Sequence, residues 1–122
     1  MPRIMLKGVS GIVKDESFPI EPGQDVVLGR SRSCEISLKS CRAYSLMEPE
    51  QRDKDEGLLT VSRKHVRIRF VKTDGIEIED LSSNGTFLDG KKVEKMTITD
   101  LPTKAVELRL GRRETFKMEF VA

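Results

Sequence analysis

Apolar and polar residues alternate with a period of two along much of the chain, the spacing expected of strands with one buried face. In His65-Val66-Arg67-Ile68-Arg69-Phe70-Val71 the pattern points Val66, Ile68 and Phe70 inward and His65, Arg67 and Arg69 outward. Lys72-Thr73-Asp74-Gly75 reads as a turn, and Ile76-Glu77-Ile78-Glu79 resumes the alternation, so the two segments predict an antiparallel hairpin. A second hairpin is predicted where Val106, Leu108 and Leu110 are followed, after a turn at Gly111 to Glu114, by Phe116, Met118 and Phe120.

Shorter strand signals lie at Ile4 to Lys7, Gly11 to Val13, Asp25 to Leu28, Glu35 to Leu38 and Thr86 to Leu88, each bounded by turn-forming residues. No stretch carries a sustained stripe at a period of 3.6, and no internal repeat is visible. Many short strands with frequent turns predict an all-β fold, a two-sheet sandwich of about eleven strands. The 122 residues suit a single domain. Residues 39–59 break the pattern: Pro49 and the run Glu50-Gln51-Arg52-Asp53-Lys54-Asp55-Glu56-Gly57 offer little to bury. They read as an inserted, mobile loop, with a short helix around Leu46 to Lys54 as the lesser alternative.

Charge changes the picture by exclusion. With 22 Lys and Arg against 20 Asp and Glu, the net charge of +2 supplies no concentrated field for nucleic acid, and aromatic residues do not interleave with basic ones. Two cysteines, Cys34 and Cys41, are too few for a disulfide scaffold and read as free thiols. No apolar run approaches the ~20 residues that span a bilayer, and no secretory signal opens the chain. The expectation is a cytoplasmic protein that binds no membrane. Paired catalytic carboxylates, a Ser-His-Asp set, a glycine-rich nucleotide loop and metal-ligand clusters are all missing from the pattern, so neither an enzyme nor a cofactor or metal site is expected.

Three short motifs remain: Gly29-Arg30 after an apolar strand, Ser62-Arg63-Lys64-His65 before another, and Ser82-Ser83-Asn84-Gly85-Thr86-Phe87-Leu88 with Asp89-Gly90 beyond. In this order, on an all-β background, they resemble the forkhead-associated (FHA) domain, a module that binds phosphothreonine and catalyses nothing. The resemblance spans roughly Val26 to Val93. A phosphothreonine brings about −1.5 to −2 charge and three strong acceptor oxygens, so its receptor should offer a fixed cation and short donors on rigidly held loops. Arg30 supplies a planar fork for two phosphate oxygens, Ser62 a compact hydroxyl, and Arg63 a second cation or a backbone amide.

The resemblance further implies that Asn84 bonds the extended backbone of the bound peptide, with Ser83 adding a phosphate or backbone contact. His65 and Thr86 would brace the binding loops, and Gly29 and Gly85 would serve backbone geometry. Ser31, Arg32, Ser33, Leu59 and Thr60 are expected at the lip that discriminates partners, where basic side chains would welcome an acidic peptide. The implied partner is a protein phosphorylated on threonine by a Ser/Thr kinase, with a phosphate-independent interaction or oligomerisation module as the alternative. Two departures from the family pattern stand out: about twenty residues between Leu38 and Thr60 where relatives carry a short loop, and Cys34-Glu35, where Glu35 should take over the bracing role of an aspartate.

Overall fold

The computed structural model describes residues 3–72, 75–99 and 104–121. They form an all-β sandwich of eleven strands: β1 (Arg3–Ser10), β2 (Ser17–Ile20), β3 (Asp25–Gly29), β4 (Ile36–Ser37), β5 (Val66–Lys72), β6 (Gly75–Asp80), β7 (Thr86–Leu88), β8 (Lys91–Val93), β9 (Lys95–Ile98), β10 (Val106–Leu110) and β11 (Glu114–Val121). One sheet has the order β2-β1-β11-β10-β7-β8 and the other β4-β3-β5-β6-β9. All pairings are antiparallel except β3 with β4, where Leu28 lies beside Ile36.

Both predicted hairpins form. Ile68 pairs with Ile78 and Phe70 with Ile76 in one, and Leu108 with Phe116 and Val106 with Met118 in the other. Thr73 and Asp74 of the first turn lie outside the described residues. The inward positions of the two sheets join in one core that includes Ile4, Leu6, Leu28, Ile68, Phe70, Ile78, Leu108, Phe116 and Met118. The exposed face of β3, β5 and β6 carries the other half of the alternation, as a ladder in which Arg67 pairs with Asp25 and Glu79 and Arg69 with Asp25 and Glu77. Such exposed pairs order the surface more than they stabilise it.

Several expectations are corrected. Gly11–Val13 is a 3-10 turn, not a strand; Gly11 adopts φ 85°, and Ile12 and Val13 drop their side chains into the core. His65 does not point outward with Arg67 and Arg69. It precedes β5, where the chain is not yet pleated, and its ring is fully buried.

Residues 39–59, read as an irregular loop, hold three short helices: α1 (Arg42–Leu46), α2 (Pro49–Lys54) and α3 (Glu56–Leu59). Pro49 opens α2 at a position that needs no amide donor, while Glu48 and Gln51 form a capping box, and Asp55 caps α3 by accepting from Leu58 N–H at 2.9 Å. Each helix is too short to display a periodic stripe. Together they nonetheless bury Cys41, Tyr44 and Leu58 in the core. Arg52 stacks over the Tyr44 ring at 4.6 Å and donates to the Tyr44 carbonyl, so a residue of the charge run serves as a cover. Arg113, in the turn just before β11, donates to Asp55 through Nη1 at 3.2 Å and holds Nη2 at 2.7 Å from the other carboxylate oxygen without hydrogen-bond geometry. The insertion is thereby tied to the sandwich at both its apolar and its polar side chains.

Candidate functional site

The three motifs converge at one end of the sandwich. β3 ends in Gly29, and the backbone then follows the segment before β5: Arg30 N–H donates to the Ser62 carbonyl at 3.1 Å and Ser31 N–H to the Arg63 carbonyl at 3.0 Å. This contact explains the glycine. A Cβ on Gly29 would lie 2.1 Å from the Arg63 oxygen, so any side chain would force the two loops apart. Placing Arg30 immediately after this close approach fixes its Cα against the Ser62 loop, and its Nε donates to the Val61 carbonyl at 2.6 Å. The guanidinium is half-buried and keeps its remaining donors for another partner.

Ser62 and the Asn84 turn are locked together. Ser62 Oγ accepts from Ser83 N–H at 3.1 Å, and Asn84 Nδ2 donates to the Thr60 carbonyl at 3.1 Å. Underneath, the buried imidazole of His65 accepts from Ser62 N–H through Nδ1 at 3.0 Å, which puts its proton on Nε2, where it donates to the Gly85 carbonyl at 2.8 Å. One ring therefore joins the second motif to the third. Thr86, also buried, donates to Asp80 Oδ1, which takes Ser82 N–H as well, and Ser82 Oγ accepts from Gly85 N–H. Gly85 sits at φ 105°, a left-handed conformation that favours glycine. Burial raises the Asp80 pKa, but the hydrogen bonds from Ser82 and Thr86 outweigh it and hold the carboxyl below its ordinary value.

Ser31, Arg32 and Ser33 form a tight turn in which the two serine hydroxyls are 2.7 Å apart and Cys34 N–H donates to the Ser31 carbonyl. Cys34 is buried, its thiol donating to the Arg63 carbonyl at 3.1 Å, and Glu35 braces β3 by accepting from Val27 N–H at 2.7 Å. Burial pushes both thiols up, Cys41 to about 12, so neither is an activated nucleophile. Thr60 is a junction: its hydroxyl donates to the Gly57 carbonyl at 2.7 Å and accepts from Arg112 N–H at 3.1 Å. Leu59, beside it, is 47% exposed.

Beside Arg30 lies a cleft of about 450 Å³ lined by Arg30, Ser31, Arg32, Lys39 and Arg63. Sequence reasoning missed Lys39. It sits on the 3-10 turn Leu38–Ser40 that opens the insertion, and only the fold returns that turn to the Gly29-Arg30 loop. Cations from three segments, with hydroxyls and amides at hand, suit a tetrahedral oxyanion.

A family model for the FHA domain matches residues 26–111. The chain belongs to the FHA domain family. The FHA domain of CT664 protein from Chlamydia trachomatis is similar over 98% of this chain and 99% of its own, at 24% identity and a TM-score of 0.69. The FHA domain of an Arabidopsis thaliana hypothetical protein aligns with 100% of this chain and 88% of its own, at 24% identity and a TM-score of 0.71. Mycobacterium tuberculosis EmbR, solved in complex with a low-affinity phosphopeptide, matches 96% of this chain over 24% of its own length, at 20% identity and a TM-score of 0.61. No curated protein matches the chain significantly in sequence.

The histidine in this FHA framework makes stability pH-dependent. Burial holds the His65 pKa below its ordinary 6.5, with the Gly85 carbonyl and Asp80 opposing. Between that depressed value and 6.5 the unfolded chain binds a proton that the folded one refuses. Stability is therefore complete above the unfolded pKa and falls as the pH drops toward the native one, by at most about 1.4 kcal/mol per pH unit. His65 is the only histidine. The resistance of the wild type to urea is expected to fall as the pH drops from about 7.5 to 5.5, and that slope should vanish in His65→Gln; a flat wild-type profile would contradict the assignment.

Proposed function

We propose that the chain is a phosphopeptide-binding module that reads phosphothreonine in a partner protein phosphorylated by a Ser/Thr kinase. The observation that carries this reading is Arg30: a half-buried guanidinium with donors to spare, on a loop held by a glycine-dependent contact to the Ser62-Arg63 loop, which Ser62 Oγ in turn joins to the Ser83-Asn84 turn. Arg30 would take two phosphate oxygens, with Ser62 Oγ and Arg63 beside it. Ser83 would add a contact at the phosphate or peptide backbone, and Asn84, exchanging Thr60 for the ligand, would bond the backbone of the bound peptide. Ser31, Arg32, Ser33 and Thr60 form the lip. That EmbR, a structural relative, is solved with a phosphopeptide supports the reading.

Preference for threonine over serine would come from an apolar niche for the γ-methyl group, worth about 0.8 kcal/mol by transfer. A second reading, a phosphate-independent interaction surface, draws on Leu46 and Leu59 of the insertion, 77% and 47% exposed. Degenerate phosphothreonine, phosphoserine and unphosphorylated peptide pools, each titrated against the chain, separate the two. Retention of the phosphothreonine pool alone is expected. Equal retention of all three would move the function to the insertion surface.

A further inference from the structure

The cleft beside Arg30 holds more positive charge than one phosphate can match. Its lining includes Arg30, Arg32, Lys39 and Arg63 and no acidic residue, and none of these four pairs with a carboxylate among the described residues. Arg3, Arg67, Arg69 and Arg113, by contrast, all have acidic partners. A phosphothreonine contributes about −1.5 to −2, leaving a surplus of roughly two positive charges.

The backbone under these cations is tied into one unit. Lys39 N–H donates to Ser37 Oγ at 3.2 Å within its 3-10 turn, while the Arg63 carbonyl receives both Ser31 N–H and Cys34 Sγ from the turn that carries Arg32. The lining contains nothing from the Ser83-Asn84 turn, so the surplus charge stands on the β3–β4 side of Arg30. A cleft lined by one sign of charge focuses its field on a single spot.

Building on the function proposed above, we propose that the ligand peptide carries a second anionic side chain near the phosphorylated residue, a carboxylate or a second phosphoryl group, and that Arg32 and Lys39 receive it. A peptide fits better than nucleic acid because the chain lacks a strong overall positive field. The chain as a whole carries only +2, and the adjoining face of β3, β5 and β6 alternates Asp25, Glu77 and Glu79 with Arg67 and Arg69.

The test titrates three sets of phosphothreonine peptides: one with neutral flanks, one with a glutamate scanned through the flanking positions, and one with a second phosphothreonine scanned likewise. They are measured against the wild type, Arg30→Ala and the double variant Arg32→Gln/Lys39→Met, whose replacements keep apolar stems and remove charge. At the favoured position the second anion is expected to tighten wild-type binding on the order of tenfold. The double variant should lose that gain, binding the anion-bearing peptides no more tightly than it binds the neutral one, and Arg30→Ala should lose all three sets. A glutamate gain equal to the phosphoryl gain assigns the site to a carboxylate, and a phosphoryl gain alone to a second phosphate. Binding of the neutral phosphopeptide with no gain from either anion, or a gain that survives in the double variant, overturns this inference and leaves the proposed function standing. No binding by any phosphopeptide overturns both, and a single-stranded oligonucleotide held through Arg32 and Lys39 in place of the acidic peptide overturns it in favour of nucleic acid.

Discussion

Arg30→Ala is expected to remove phosphopeptide binding while leaving a folded domain. The guanidinium lies between exposed loops and a half-buried cleft, where a charge-assisted, two-pronged contact with a phosphate would be partly shielded from water. Truncating one partner of such a pair costs about 2 to 5 kcal/mol, a weakening of roughly 30-fold to several thousandfold. The loss to the fold is small by comparison. Among the described residues the Arg30 side chain makes one hydrogen bond, to the Val61 carbonyl, and water can replace that donor at a half-exposed site for about 1 kcal/mol or less. The loop course itself depends on Gly29 and on backbone bonds from Arg30 and Ser31 that alanine retains. Isothermal titration together with a thermal melt separates the two effects. Affinity lost at an unchanged melting temperature is the expected result; affinity retained would mean that Arg30 does not hold the phosphate.

What the sequence made legible follows from how local each signal is. The alternations in β5, β6, β10 and β11 are long enough to announce strands with one buried face, and the pairing of Ile68 with Ile78 and Leu108 with Phe116 realises them. The short motifs were legible because Gly29-Arg30, Ser62 and Asn84 sit in one framework. β2 was hidden by Pro19, which the strand tolerates because it lies at the edge of its sheet; β8 and β9, edge strands too, expose so much that no alternation marks them. The insertion misled because its burial is spread over Cys41, Tyr44 and Leu58, and because Arg52 and Asp55, counted as solvated charges, do structural work at Tyr44 and Arg113. Lys39 carries no local mark at all. It reaches the cleft because β4 pairs in parallel with β3 and delivers the following turn to the same end of the sheet.

The largest loss of stability is expected from a residue that no motif contains. Glu114 opens β11 in phase with Phe116 and Met118, and continuing that alternation backward would have placed a carboxylate on the core face. It is fully buried there. Its Oε1 accepts from Ile12 N–H at 2.7 Å and Val13 N–H at 3.3 Å, and its Oε2 takes Arg113 Nε at 2.8 Å. The left-handed backbone of Gly11 is part of the same arrangement, since a Cβ at that position would lie 2.5 Å from the carboxylate. Glu114 therefore stands in for a strand partner, satisfying a 3-10 turn that pairs with neither sheet, and through Arg113 and Asp55 it extends to the insertion. Glu114→Ala would orphan two buried amides and leave Arg113 with Asp55 alone, at a cost of about 3 to 5 kcal/mol. That corresponds to a fall in melting temperature of roughly 10 to 20 °C. Glu114→Gln keeps a carbonyl oxygen for the amides but sets an uncharged group against Arg113, so it should fall between the two. Calorimetry on the three proteins checks the order wild type, Gln, Ala. Equal melting temperatures would mean that water can enter and take the place of the carboxylate. If Gln behaved like Ala, the ion pair with Arg113, more than the amide contacts, would be holding the turn and the insertion in place.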